Sequence, residues 1–301
     1  MAQQSEALPA TARADQREAL GNANGDQRGP RAGREPRAKR PTSREAERSE
    51  ASERAADPGS LRVASPTGGM EPDDVVFLAG ASGGTGREVL RSLGGREPTI
   101  RALTRSARKR ERLRAVGADD VVVEDLLDPA DLGGALEGVD VVLSAVGSGV
   151  TEVFSSGQFV DGAGTVALLE AAVEAGVDAF VMESALGVGD EPASAMAAAF
   201  DLFIGPVQRA KADAEAAIRE APVRHTILRP GVLTGGARTD DVTVADPGAK
   251  LWGFVPRADV ARLMAAAPVT PAAADRTFEV VATPSFRDRG LGVDWGVPGS
   301  G

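Results

Sequence analysis

The chain has no cysteine, no tyrosine, one histidine and only four lysines among its 301 residues. Without cysteine there are no disulfides and no thiolate metal sites. A lone histidine, His225, offers too few nitrogen ligands for an ordinary zinc site, so no metal is expected. It precedes an apolar strand, at the end away from the expected ligand crevice, and reads as a structural or an exposed residue, not a catalytic one. Without tyrosine, no phenol is available as a proton donor. No apolar run reaches the roughly 18 residues that a membrane span needs, so no membrane partner is expected. The first residues lack the apolar core of an export signal, and the expected compartment is the cytoplasm.

Charge is unevenly spread. The whole chain carries net −10, yet residues 1–69 hold 12 basic and 10 acidic residues, leaving 22 basic and 34 acidic, net −12, for the remainder. Beyond Met1, the only large apolar residues in that first segment are Leu8, Leu20, Leu61 and Val63. It cannot bury enough surface to offset its chain entropy, and disorder is expected for it. Met70 stands directly before the first compact stretch, which suits an initiator, with 1–69 as translated upstream sequence. Three segments follow: 1–69 disordered, 70–283 folded and 284–301 a polar tail. The acidic folded part argues against nucleic acid as a partner.

What organises the folded part is Val75-Val76-Phe77-Leu78-Ala79-Gly80-Ala81-Ser82-Gly83-Gly84-Thr85-Gly86. An apolar strand runs into a turn with glycines at 80, 83 and 86, and a helix over about 84–93 follows. Only glycine lets the backbone turn so sharply and approach a phosphate, and the helix N-terminus supplies N–H groups to hold one.

Further apolar strands are expected near 98–105, 121–123, 139–146, 179–184, 226–231 and 277–281. Helices are expected over 106–116, 129–137, 159–175, 206–220 and 257–267. A loop over 147–157, a largely apolar stretch over 193–204 and a looser region to about 256 lie between them. The 193–204 stretch reads as a lid, a dimer surface or core. This alternation predicts an α/β fold, a Rossmann-type doubly wound parallel sheet with helices on both faces and a small C-terminal substrate-side region. Ligands on such sheets bind beyond the carboxyl ends of the strands. That places Gly80–Gly86, Thr104–Arg105, Asp125–Leu126, Ala145–Gly147, Ser184–Ala185 and Pro230–Leu233 around one crevice.

With these residues the chain resembles the atypical short-chain dehydrogenase/reductases, in their NmrA-like, NAD(P)H-binding branch, over about residues 74–283. The resemblance rests on the glycine turn, Arg101-Ala102-Leu103-Thr104-Arg105, Asp125-Leu126-Leu127-Asp128 and Ser144-Ala145-Val146-Gly147. It continues through Glu183-Ser184-Ala185, Arg209-Ala210-Lys211 with Glu215, Thr226 to Gly231, and Arg257-Ala258-Asp259-Val260-Ala261. It implies cofactor contacts from Gly80, Ser82, Gly83, Gly84, Thr85, Gly86, Arg105, Asp125, Leu126, Ala145, Val146, Gly147, Lys211, Pro230 and Val232. Ser184 and Lys211 stand at the catalytic positions. Arg105, at the tip of the second strand, suits a 2′-phosphate and so NADP, whereas an acidic residue there would favour NAD.

Where the resemblance puts the catalytic tyrosine, this chain has Val207. Two readings follow. One is an NADPH-dependent reductase of a small carbonyl, quinone or flavin-like acceptor. The other is a non-catalytic NAD(P)H sensor acting through a protein partner. A monomer or homodimer suits either.

Overall fold

The computed structural model describes residues 73–96, 98–148, 159–189 and 195–298, with backbone only for 195–204. The expectations for residues 1–69, for most of the 147–157 loop and for 193–194 lie outside it.

Strand β1 (Val75–Ala79) sits inside the main sheet and is buried on both faces. Val76 and Leu78 cluster on one side with Val89, Leu90 and Leu93 of helix α1 (Gly84–Leu93). Phe77 and Ala79 cluster on the other with Leu168, Leu169 and Ala172 of α4 (Thr165–Glu174) and with Ala214 and Ile218 of α5 (Ala195–Glu220). A strand covered on both sides must be apolar at every position. Burying one such side chain contributes about 1.5–3 kcal/mol.

The remaining strands complete an eight-stranded sheet. They are β2 (Thr99–Thr104), β3 (Asp120–Val123), β4 (Val141–Ser144), β5 (Ala179–Glu183), β6 (Arg224–Pro230), β8 (Thr243–Ala245) and β10 (Arg276–Val281). Their spatial order is β3-β2-β1-β4-β5-β6-β10-β8, and all neighbours run parallel except β8 against β10. Strand order reverses between β1 and β4, the doubly wound arrangement expected from the sequence. β7 (Val232–Thr234) and β9 (Phe254–Pro256) pair separately, inside the region read as loose.

Several elements differ from expectation. The helix expected over 106–116 is a 3₁₀ turn, Ala107–Lys109, followed by a short α2 (Arg110–Arg114). The helix expected over 129–137 shortens to α3 (Leu132–Leu136), because the Asp131 carboxylate caps it by accepting from Gly134 N–H at 2.8 Å. The helix expected to begin near 206 instead runs unbroken over 195–220 with Pro206 inside it. Proline removes one ladder hydrogen bond, yet burial of Val207, Lys211, Ala214, Glu215 and Ile218 carries the helix onward. Part of the stretch read as a lid or dimer surface is thus helical backbone.

The last segment is not simply a polar tail. Trp295 stacks edge-on against Phe278 at 5.6 Å, and Gly296 N–H donates to Thr270 Oγ1 at 2.9 Å. Leu291 and Val293 pack against the core beside Trp295, and Leu291 N–H donates to the Val244 carbonyl at 2.8 Å. Helix α6 (Arg257–Ala266) packs along α1 on the opposite side of the sheet from α5.

Candidate functional site

The glycine turn is set by backbone contacts that leave no room for side chains. Gly80 has φ +74°, and a Cβ there would stand 2.2 Å from the Ala145 carbonyl oxygen at the end of β4. Gly83 N–H closes the turn on the Gly80 carbonyl at 2.8 Å. A Cβ on Gly86 would lie 2.3 Å from that same Gly80 oxygen. The start of α1 is open: its N-cap, Gly83, makes no side-chain cap, and no acidic residue sits in the first turn. Free N–H groups and the positive end of the helix dipole therefore face the crevice.

A cavity of about 140 Å³ lies at the carboxyl ends of β1 to β4. Of the residues expected there, Gly80, Ser82, Gly83, Arg105, Leu126, Ala145, Val146 and Gly147 line it. Thr104, also expected at the crevice, lines it, together with Leu103, Glu124 and Val160, which were not expected there. The Asp125 side chain is elsewhere engaged: it accepts from Leu127 N–H at 3.1 Å, an Asx turn that brings Leu126 to the cavity wall. Beside the mouth, Lys109 Nζ donates to Ser82 Oγ at 3.1 Å, and Arg87 holds the Ser82 carbonyl at 2.8 Å.

Gly84, Thr85 and Gly86 open helix α1. Thr85 Oγ1 donates to Glu183 Oε1 at 2.8 Å, tying α1 to the end of β5. Burial pushes the Glu183 carboxyl above the usual carboxylate range. The Thr85 hydrogen bond, then Lys211 and Arg257, act against that rise, while Asp161 adds to it.

The folded chain therefore holds a proton at Glu183 at pH values where the unfolded chain has released it. That contribution is full below the ordinary carboxylate range and is lost as pH rises through the folded value. Glu183→Gln keeps the acceptor for Thr85 and removes the cost of a buried charge. It is expected to raise the melting temperature at pH 8 by roughly 2–4 °C and to change it little near pH 4. Thermal melts at the two pH values check this, and equal shifts at both would contradict it.

Beyond Val160, which lines the cavity, the turn before α4 packs against α5. Val160–Gly164 forms a π-helical turn where an ordinary helix start is expected. Gly162 lets it close on α5, since a Cβ there would come within 2.9 Å of the Ala210 Cβ. The turn directs Asp161, which is fully buried, onto Lys211: Nζ to Oδ1 is 2.9 Å. Its second oxygen accepts from Ser148 N–H at 2.6 Å and from the Ser148 hydroxyl. Lys211 Nζ also reaches the Glu183 carbonyl at 3.5 Å.

One helical turn below, Glu215 accepts from Ser184 Oγ at 2.6 Å, from Arg229 Nε at 2.9 Å and Nη2 at 2.5 Å, and from Arg219. The Ser184 proton is thus directed at Glu215, not at the crevice. Pro230 ends β6. Val232 begins β7 and is half exposed beside its partner Phe254, with Trp252 also exposed. His225 is buried at the amino end of β6, its ring within 3.3 Å of Asp275. Among the described residues, no cluster of three histidine or acidic side chains is placed to hold a metal, and no helix is long and apolar enough to cross a membrane.

A model of the NAD(P)H-binding family matches residues 80–271. A sugar epimerase of Bacillus subtilis, YhfK, itself uncharacterized, is 30% identical over 207 residues, covering 68% of this chain and 92% of its own. Two solved structures share the fold. ChuY, an anaerobillin reductase from Escherichia coli O157:H7, superposes with TM-score 0.59 at 23% identity, over 70% of this chain and 98% of its own. A wide-type short-chain dehydrogenase/reductase from Veillonella parvula, in complex with NADP, gives 0.57 at 17% identity, over 73% and 99%.

Proposed function

The chain belongs to the NAD(P)H-binding family, and we propose that it is a cytoplasmic NADPH-dependent reductase acting on a flat, conjugated acceptor of the quinone or flavin class. The residues present suit a dinucleotide. The glycine turn admits phosphate oxygens where a Cβ would block them, the start of α1 is uncapped, and the adenosine-side cavity is walled by Leu126, Val146 and the backbone of 145–147. When bound, the nicotinamide supplies the hydride, and the protein supplies orientation.

One observation carries the reading: Lys211 of α5, a helix packed on the turn whose Val160 lines the cavity, is held by the buried Asp161 of that turn at 2.9 Å. An ion pair built that deep fixes the ammonium group, which in this reading holds the ribose hydroxyls. The acceptor class follows from the proton inventory. There is no tyrosine, and the Ser184 hydroxyl is committed to Glu215. A carbonyl substrate needs a protein acid, whereas a quinone or flavin takes its proton readily from water. The exposed Val232, Trp252 and Phe254 beyond β6 offer such an acceptor an apolar flank. The reductase activity of ChuY, and the NADP bound to the Veillonella protein, support this reading by analogy.

NADP preference rests on Arg105 at the cavity wall, with Lys109 and Ser82 paired beside it. Arg105→Asp is expected to weaken NADPH binding by about 10- to 100-fold, the scale of a charge-assisted hydrogen bond, and to leave NADH binding nearly unchanged. Titration of both cofactors checks it, and equal losses would refute it.

The same Ser184–Glu215 bond favours the second reading, a dinucleotide sensor without turnover. NADPH consumption over a panel of quinones, flavins and aldehydes separates the two. Oxidation above background with quinones or flavins is expected. Background rates throughout, with dinucleotide binding intact, would favour the sensor.

A further inference from the structure

The side chain of Arg257 lies across the first residue of α1. A Cβ on Gly84 would stand 2.6 Å from both Cδ and Nε of Arg257, and 3.4 Å from Cζ. Helix α6 also begins here, with Arg257 as its first residue. A cation has thus been placed at the amino end of two helices, where each dipole presents partial positive charge. Nothing in the first turn of α1 offsets it: that turn has no acidic residue and no side-chain cap. Among the described residues, the Arg257 guanidinium makes no hydrogen bond and no ion pair. Glu183 attracts it from the end of β5, but over a longer range, while accepting a hydrogen bond from Thr85. Lys211 adds further positive charge around Glu183. Lys211 is paired with Asp161, and Asp259 of the first turn of α6 is bonded to Thr239 and Asp240, so the charge laid across the start of α1 is that of Arg257, which an incoming anion would engage.

Resting on the dinucleotide reading above, we propose that Arg257 clamps the diphosphate bridge of the dinucleotide from the α6 side, while the glycine turn holds it from the α1 side. Gly84 is then required for a second reason besides the turn: it leaves the groove along which the Arg257 side chain reaches the phosphates. Because the diphosphate is common to NADPH and NADH, Arg257 contributes equally to both. Arg105, which meets only the adenosine side, does not. The planar guanidinium matches two phosphate oxygens at once, which an ammonium cannot do.

The test is a calorimetric titration of the full chain with NADPH and with NADH. Arg257→Gln is expected to weaken both by the same factor, about 10- to 100-fold, and Arg257→Lys by less. Gly84→Ala forces the arginine aside and is expected to give a comparable loss. The double variant should be no weaker than Arg257→Gln alone, since both changes remove one contact. Melting temperatures close to wild type for Arg257→Lys and Arg257→Gln keep the comparison free of unfolding. The proposal is overturned if Arg257→Gln binds both cofactors as wild type does, if only NADPH is weakened, or if the two changes add. A wild-type chain that binds neither cofactor overturns the dinucleotide reading itself, whereas an unaffected Arg257→Gln on a binding wild type overturns the clamp alone.

Discussion

Gly86→Ala is expected to lower NADPH affinity by about 100-fold, or 2.7 kcal/mol, while leaving the sheet folded. The added methyl would stand 2.3 Å from the Gly80 oxygen and 2.8 Å from the Ala81 Cα. Both are backbone atoms of the turn and cannot swing aside. Relief requires α1 to back away from β1, which withdraws the N–H groups from the phosphates. Overpacking of this kind costs about 1–3 kcal/mol of stability, which a domain of this size survives. Gly95 is the control. Unlike Gly86 it has a positive φ, +76°, and nothing lies within 4 Å of its Cβ position. Gly95→Ala is expected to cost about 1–2 kcal/mol of strain and no affinity. Calorimetry and circular dichroism on both variants check the pair, and equal affinities would contradict the role given to the turn.

Glu215→Ala carries the largest expected effect on stability, a loss of about 3–5 kcal/mol. Glu215 is fully buried and receives a two-pronged pair of bonds from Arg229, itself 7% exposed, together with the Ser184 hydroxyl. Removing the carboxylate strands a guanidinium inside the protein, and burial of an unpaired charge is what makes the loss so large. Each kcal/mol lowers the melting temperature by roughly 2–4 °C in a domain of this size, so a fall of about 10 °C is expected. Replacing both partners by apolar residues, Glu215→Leu with Arg229→Met, should recover most of it, because no charge is then left unpaired. Urea unfolding of the wild type and the two variants measures this. A double variant as unstable as Glu215→Ala would show that shape, not charge pairing, holds the site.

The sheet and the glycine turn at its carboxyl end were legible because they depend on local pattern. A fully apolar strand such as β4, or a glycine turn between strand and helix, states its geometry within a few residues. Much of the cavity lining at the ends of β1 to β4 followed from strand ends alone. What was not legible was the pairing of distant charges. Asp161 stands in Phe159-Val160-Asp161-Gly162 like an ordinary helix-start carboxylate, and only the π-helical turn aims it at Lys211. Glu215 was noted merely as following Lys211. Yet Arg229 inside the apolar strand Thr226–Pro230 was a signal, since a buried arginine demands a carboxylate. Glu215 falls four residues after Lys211, on the same helical face, and was the natural partner. Arg257 stands out in the sequence only within the Arg257–Ala261 stretch that carries the resemblance, with no sign of what it touches. Its role depends on α6 meeting α1 at Gly84, a contact between elements more than 170 positions apart.

The central claim is that this crevice binds a dinucleotide, with the 2′-phosphate form preferred. Isothermal titration of the wild-type chain with NADPH and NADH tests it most directly. The account predicts saturable one-to-one binding of NADPH, at least about tenfold tighter than NADH, consistent with one charge-assisted contact. Absence of binding to either, at millimolar cofactor, would contradict it.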